Sequence, residues 1–147
     1  MTLADASLAA PVGLRIVLLV VLGALGVPLG VVGVLGWRQR LPRDGRLGVR
    51  TAAALRSDEA FRLANRVAGP PVLVSGVVAV LGGVAAFGLP TTAASVVAAV
   101  IGLVGAVLIA RAGGVIGDRA AGALPVERVV PPQCAGCACG GCAVLGG

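Results

Sequence analysis

Three stretches of the chain are apolar on every face that a helix would present. Ile16 to Gly36 holds no charged and no polar side chain, Pro70 to Leu89 has Ser75 as its one polar member, and Ala93 to Ala110 has Ser95 alone before Arg111. A hydrocarbon core about 30 Å thick is crossed by about 20 helical residues, each rising about 1.5 Å. A surface helix of a soluble protein would carry a polar stripe, and these carry none. A soluble core built from three such helices would need other material wrapped around it, and the chain has none to spare. The pattern predicts an all-α integral membrane protein with three transmembrane helices, at residues 13–37, 70–89 and 93–110. Residues 1–12 form a leading tail, 38–69 a polar loop, and 111–147 a flexible tail.

The first stretch also invites comparison with a cleaved secretory signal, which carries a positive n-region. Met1 to Pro11 has Asp5 and no basic residue. The apolar run is too long for a usual signal core and ends at Trp37, a residue suited to the membrane interface. A retained span is the better reading.

Composition sharpens this picture. Apolar residues make up 58% of the chain and charged residues 12%, with a mean hydropathy of +1.04; soluble domains average about 25% charged. There is no His, which removes imidazole triads, HExxH zinc sites and histidine proton relays. The stretches 16–36, 70–89 and 93–110 contain no ionisable side chain, whereas pumps and coupled transporters place such groups at membrane depth. A proton or ion pathway through one copy is not expected on that ground, and no nucleophile–base pair suggests an enzyme.

The net charge of +6 comes entirely from Arg, with no Lys. Arg15 alone precedes the apolar stretch that begins at Ile16. Eight follow it, at Arg38, Arg40, Arg43, Arg46, Arg50, Arg56, Arg62 and Arg66; the Leu89–Thr92 connection has none; and Arg111, Arg119 and Arg128 lie after the third span. By the positive-inside rule the loop and the C-terminal tail are cytoplasmic, and the N-terminus and the Pro90 hairpin lie outside. A pI near 11 suggests nucleic acid at first sight, but topology accounts for the charge and no stacking aromatics accompany it.

Within the loop, Pro42, Gly45 and Gly48 mark turns. Ser57 then stands where it can cap a helix, with Asp58 and Glu59 in a first turn whose dipole favours anions. The spacing predicts a short amphipathic cytoplasmic helix over 58–68, stopping at Gly69, with Pro70 and Pro71 opening the next span. At about 100° per residue, Ala60, Phe61, Leu63, Ala64, Val67 and Ala68 share an apolar arc, and Asp58, Glu59, Arg62, Asn65 and Arg66 share a polar one. Asp58 with Arg62, and Glu59 with Arg62, are favourable pairs on such a helix. So short a helix is unstable alone in water, so its apolar arc must dock on the spans or in the headgroups.

Most of the loop arginines are explained by topology and by attraction to anionic lipid. Arg50 lies in a turn-like setting where a guanidinium fork can hold a carboxylate or backbone carbonyls, and Asn65 sets an amide beside Arg66. Small residues also recur at four-residue spacing, as Gly26-x-x-x-Gly30 and as Ala98, Gly102, Ala106 and Ala110. Such strips let helices approach closely in lipid, although Ala and Gly are abundant throughout.

Taken together, Gly48-Val49-Arg50-Thr51, Ser57-Asp58-Glu59, and Asn65-Arg66 followed by Gly69 running into a span resemble the SdpI family of small bacterial membrane proteins. That family shows a GxRT stretch, an S-x-E-x-W helix start and an N-R-x-x-G end. The resemblance spans roughly residues 20–110, with its motifs in 41–70. It departs where the family usually has Asn near Asp44, Trp at Phe61 and often Pro at Ala52; Phe61 keeps an apolar anchor and loses the indole donor. The resemblance implies immunity to, or sensing of, a secreted membrane-active peptide toxin, with recruitment of a cytoplasmic repressor. It places partner-binding or loop-structuring roles on Gly48, Arg50, Thr51, Glu59, Phe61, Asn65, Arg66 and Gly69.

After Pro131-Pro132, four cysteines fall at Cys134, Cys137, Cys139 and Cys142. Four thiols this close can wrap Zn or Cu(I), but the spacing lacks the long separation of structural zinc folds. In the cytoplasm they stay reduced, so a flexible thiol tail, metal binding and thiol modification all remain open. No other cofactor is expected. Two further function classes therefore stand beside the first: a membrane-anchored metal-binding protein acting through Cys134–Cys142, and a structural subunit of a larger membrane complex or homo-oligomer. All three share one topology. A reporter fused at Gly45 is expected to read out on the cytoplasmic side, and carbonate washing is expected to leave the chain in the membrane.

Overall fold

The computed structural model describes residues 9–42 and 45–125. Its architecture is three α-helices: α1 (Val12–Trp37), α2 (Asp58–Gly88) and α3 (Thr92–Gly122). All three are long and apolar enough to cross a membrane, and the described residues contain no strand beyond one isolated bridge, Ala9 with Thr91. The chain folds as a three-span, all-helical membrane protein.

Local chemistry sets the helix ends. Ser57 is extended and its side chain accepts from the Ala60 N–H at 3.1 Å, starting α2. Thr91 does the same for α3, accepting from the Ala94 N–H at 3.3 Å. Each satisfies one of the orphan donors of a first helical turn. α1 runs unbroken through Pro28 and closes with Gln39 at φ 56°, the Gln39 N–H donating to Gly36 O and the Arg40 N–H to Leu35 O. That left-handed position usually falls to Gly or Asn.

The separate helix expected over 58–68 is the first part of α2. No stop occurs at Gly69; one helix runs from Asp58 to Gly88 with Pro70 and Pro71 inside it. Proline normally breaks a helix interior, but neighbouring helices stabilise such positions in membranes. Here α1 holds one side of the segment and α3 the other. A Cβ on Gly69 would meet the Trp37 backbone nitrogen at 2.6 Å, and one on Gly113 would meet the Pro71 ring at 2.7 Å.

The third helix likewise extends past the expected end at Ala110. Residues 111–122, expected as part of a flexible tail, are helical. Gly113, Gly117 and Ala121 form a second strip of small residues at four-residue spacing, one position out of step with the first, and are buried, with Gly117 against the Ala64 carbonyl. Two helices of 31 residues rise about 46 Å each, some 16 Å more than the hydrocarbon thickness. The excess falls at one end, where the starting part of α2 and the finishing part of α3 pair as a stub. Ala54, Ala60, Ala64 and Ala121 form its core.

α2 is the central helix: α1 and α3 each pack along it and barely touch one another. Both seams are built by close backbone approach. Gly26 lies against the carbonyl of Gly76, where an added Cβ would come within 2.7 Å, and Gly82 and Gly102 face one another so that a Cβ on either would lie 2.7 Å from the other's Cα. The strip containing Gly102 and Ala106 is thus spent inside the chain. Large side chains point outward instead; Val20, Ile101 and Leu108 are all more than 60% exposed. Small residues inside and large apolar ones outside are what a lipid solvent selects, because lipid gives helices no hydrophobic reason to associate.

The opposite end is the hairpin Leu89–Thr91. Ser95 Oγ donates to Leu89 O at 3.3 Å, and Pro90 O accepts from the Ala10 N–H at 3.1 Å and from Arg15 Nη2 at 2.7 Å. Arg15 therefore stands with the hairpin, while every other described arginine belongs to the far end. Replacing Gly76 by Val would drive a side chain into the Gly26 carbonyl and Gly30 backbone. It should lower stability in detergent by about 1–3 kcal/mol or more, whereas Gly23→Ala, which meets open space, should stay within about 0.5 kcal/mol, as read by thermal unfolding.

Candidate functional site

Between the end of α1 and Ser57 the chain must turn back over the stub, and one side chain organises that path. Asn65 is 4% exposed, so it belongs to the interior and not to the polar arc of α2. Its Oδ1 accepts from the Val49 N–H at 2.7 Å, and its Nδ2 donates to Phe61 O at 2.8 Å. Helical spacing set Asn65 beside Arg66; the loop lying over that face buries it. A buried amide with both ends satisfied is stabilising, and one with an end unmet is costly.

Gly48 makes this clamp accessible. Its φ is +97°, and a Cβ there would overlap Asn65 Oδ1. Both facts demand glycine, one for backbone freedom and one for space. Thr51 follows with its Oγ1 accepting from the Ala54 N–H at 3.2 Å, while its carbonyl accepts from the Leu55 N–H at 3.0 Å. One-turn structure results. Arg50 donates through Nη1 to Gly45 O, drawing the two ends of the preceding turn together. Phe61 is 2% exposed and is the largest fully buried side chain, supplying the apolar anchor under the loop.

Arg56 closes the other side of the stub. Its Nη2 donates to Ala121 O at 3.0 Å, so a loop guanidinium supplies a donor to the final turn of α3, where carbonyls lack helical partners. Nothing in the local sequence marked Arg56 apart from its neighbours; its role depends on α3 continuing to Gly122. Glu59 and Arg66 are exposed on α2, and Glu59 shares a shallow polar surface with Gln39, Asp58 and Arg62. The motif residues therefore divide. Gly48, Thr51, Phe61, Asn65 and Gly69 converge on the junction of α1, loop and α2; Glu59 and Arg66 face away from it.

α1 and α3 come together near the hairpin end, where Leu22, Ala86 and Ala99 share a buried cluster, and toward the arginine-rich end a groove of about 780 Å³ opens between them with α2 as its floor. Leu25, Pro28, Leu29 and Val32 form one wall, Ala110 and Gly114 the other, and Ala68 and Val72 lie beneath. The loop from Arg46 to Thr51 closes the arginine-rich end. Cys134, Cys137, Cys139 and Cys142 lie outside the described residues.

The SdpI/YfhL protein family matches residues 40–116, just over half the chain. The chain belongs to the SdpI/YfhL family. No curated protein and no solved structure matches it. The SdpI/YfhL match covers the loop, all of α2 and most of α3, and so contains the whole Asn65 clamp; α1 before Arg40 and the cysteine tail fall outside it.

The clamp makes a direct prediction. Asn65→Ala would leave the buried Val49 N–H without its acceptor and should cost about 1–3 kcal/mol; Gly48→Ala should add backbone strain to the overlap with Asn65. Both should loosen the loop, read as faster trypsin cleavage after Arg46 and Arg50 and a lower unfolding temperature.

Proposed function

We propose that this SdpI/YfhL-family membrane protein confers immunity to, or senses, a secreted membrane-active peptide toxin. The observation that supports the reading is the convergence of the family's motif residues on one junction between a span and the polar loop. Asn65 touches both sides of that junction: its side chain holds Val49, and its backbone carbonyl faces Gly36 of α1 at a distance that leaves no room for a Cβ. A toxin that binds the spans and shifts α1 against α2 would move the point at which the loop is fastened. The arginine-rich face would then present a different surface to a cytoplasmic repressor.

Such coupling requires that toxin bind two arrangements of the helices with different affinity. A seam made from close backbone contacts suits this, because interdigitated small residues slip between discrete registers and do not deform smoothly. The orientation that fits is N-terminus outside and arginine-rich end in the cytoplasm of a bacterial cell, following the bias of eleven arginines to one. No catalytic step is involved; recognition and packing do the work.

The test is protection. Toxin-sensitive bacteria expressing the full chain should survive challenge with the peptide toxin encoded by neighbouring genes, and a chain ending before Cys134 should protect equally. Asn65→Ala, inserted in the membrane at normal level, should protect less. Failure of the full chain to protect would remove the immunity reading, and loss of protection on deleting the cysteines would transfer the function to the tail.

A further inference from the structure

The groove between α1 and α3 has a chemistry that the toxin reading does not use. Its walls and floor are apolar along the spans, and the charged residues among those lining it are Arg46 and Arg50, both at the loop end. No Asp or Glu lines it. The remaining polar side chains there are Thr51 and Asn65, and both are engaged with the loop backbone.

The dimensions fit one molecule. From Ala24 to Gly36, the α1 residues that bound the groove, the rise is about 18 Å at about 1.5 Å per residue. One leaflet of the hydrocarbon core is about 15 Å deep, half of about 30 Å. A cleft one leaflet long, apolar along its length and cationic at its interfacial end is complementary to a lipid of one leaflet.

We propose that this groove binds a single anionic phospholipid, with one acyl chain lying between α1 and α3 and the headgroup phosphate against Arg46 and Arg50. An acyl chain gains little by leaving bulk lipid for an apolar cleft, since lipid tails are as apolar as the helix faces. Shape holds the chain in place and charge provides the preference. Guanidinium groups match phosphate oxygens with paired N–H donors, so selectivity belongs to the two arginines and occupancy to the width of the cleft. Lipid in this position also fills the space between α1 and α3 beyond the end where Leu22 and Ala99 cluster.

Gly114 separates the two contributions. It lines the groove, and a Cβ built on it meets nothing within 4 Å. A larger side chain there enters the cleft without disturbing either seam. Native mass spectrometry of the purified full-length protein in detergent, supplied with dioleoyl-phosphatidylglycerol and dioleoyl-phosphatidylcholine in equal amount, provides the readout. One phosphatidylglycerol should be retained per chain in preference to phosphatidylcholine. Arg46→Gln should lower that preference roughly fivefold, the factor for one interfacial charge. Gly114→Leu should abolish retention, while Gly23→Leu, also in open space but outside the groove, should not. Equal retention of the two lipids by the unaltered protein would overturn the proposal. So would retention unaffected by both Arg46→Gln and Gly114→Leu, which describes annular lipid. A dimer that Gly114→Leu disrupts, without any preference for phosphatidylglycerol, would overturn it by assigning the groove to a second copy.

Discussion

The close approach of α2 to both of its neighbours is the constraint on which the rest of the molecule depends. In lipid, helices gain nothing by hiding apolar surface, so they hold together through dispersion and through backbone proximity that only small residues permit. Gly76 and Gly69 face α1, and Gly82 faces α3 through Gly102. The buried apolar positions of the spans are accordingly dominated by alanine. A soluble protein with so much exposed valine, leucine and isoleucine would aggregate; here those side chains are the solvent-facing surface.

A central helix touched on two sides leaves its partners apart. That single topological fact produces the groove, because α1 and α3 pack along α2 without closing on each other. It also explains why the loop must be fastened by hydrogen bonds. At the arginine-rich end the helices outgrow the bilayer, and the stub packs around small side chains, Ala54, Ala60, Ala64 and Ala121, with Phe61 buried beside them. So small a core buries little area, and the apolar contribution at about 25 cal/mol per Å² is modest. Asn65 with Val49 and Phe61, and Arg56 with Ala121, supply the directional contacts that alanine cannot.

What the sequence disclosed follows the range of the interactions involved. The three spans, the Ser57 cap and the hairpin at Pro90 are local: each is decided by residues within a few positions, and periodicity and capping chemistry suffice to find them. The continuity of α2 was not legible, because Gly69-Pro70-Pro71 is a local breaker overruled by α1 and α3 on either side. The length of α3 was hidden in the same way, since the apolar run stops at Arg111 and the packing of Gly113 on Pro71 and of Gly117 on Ala64 is not local. Asn65 was visible as a motif residue, yet its burial depends on a loop 16 positions earlier. Gln39 carried no signal at all, a left-handed helix end without the usual glycine. The groove was the least legible of these features, being defined by where two helices part beyond their contact near Leu22 and Ala99.

The placement of polarity narrows how such a molecule can convey anything across itself. The stretches 16–36, 70–89 and 93–110 contain no ionisable side chain, so no proton or charge movement at membrane depth can carry a signal. What remains is relative displacement of helices along the two glycine seams. At the α1–α2 seam, displacement must reach Gly36 and Asn65, because the Asn65 carbonyl already lies at contact distance from α1. The same residue's side chain grips Val49, one position after a glycine whose φ of +97° no other side chain tolerates easily. A shift at the seam therefore leaves the loop two outcomes: to follow α2 with its clamp intact, or to release Val49 and lose a buried hydrogen bond. Because the second costs on the order of 1–3 kcal/mol, the loop stays fastened to α2 unless a displacement at the seam supplies that much.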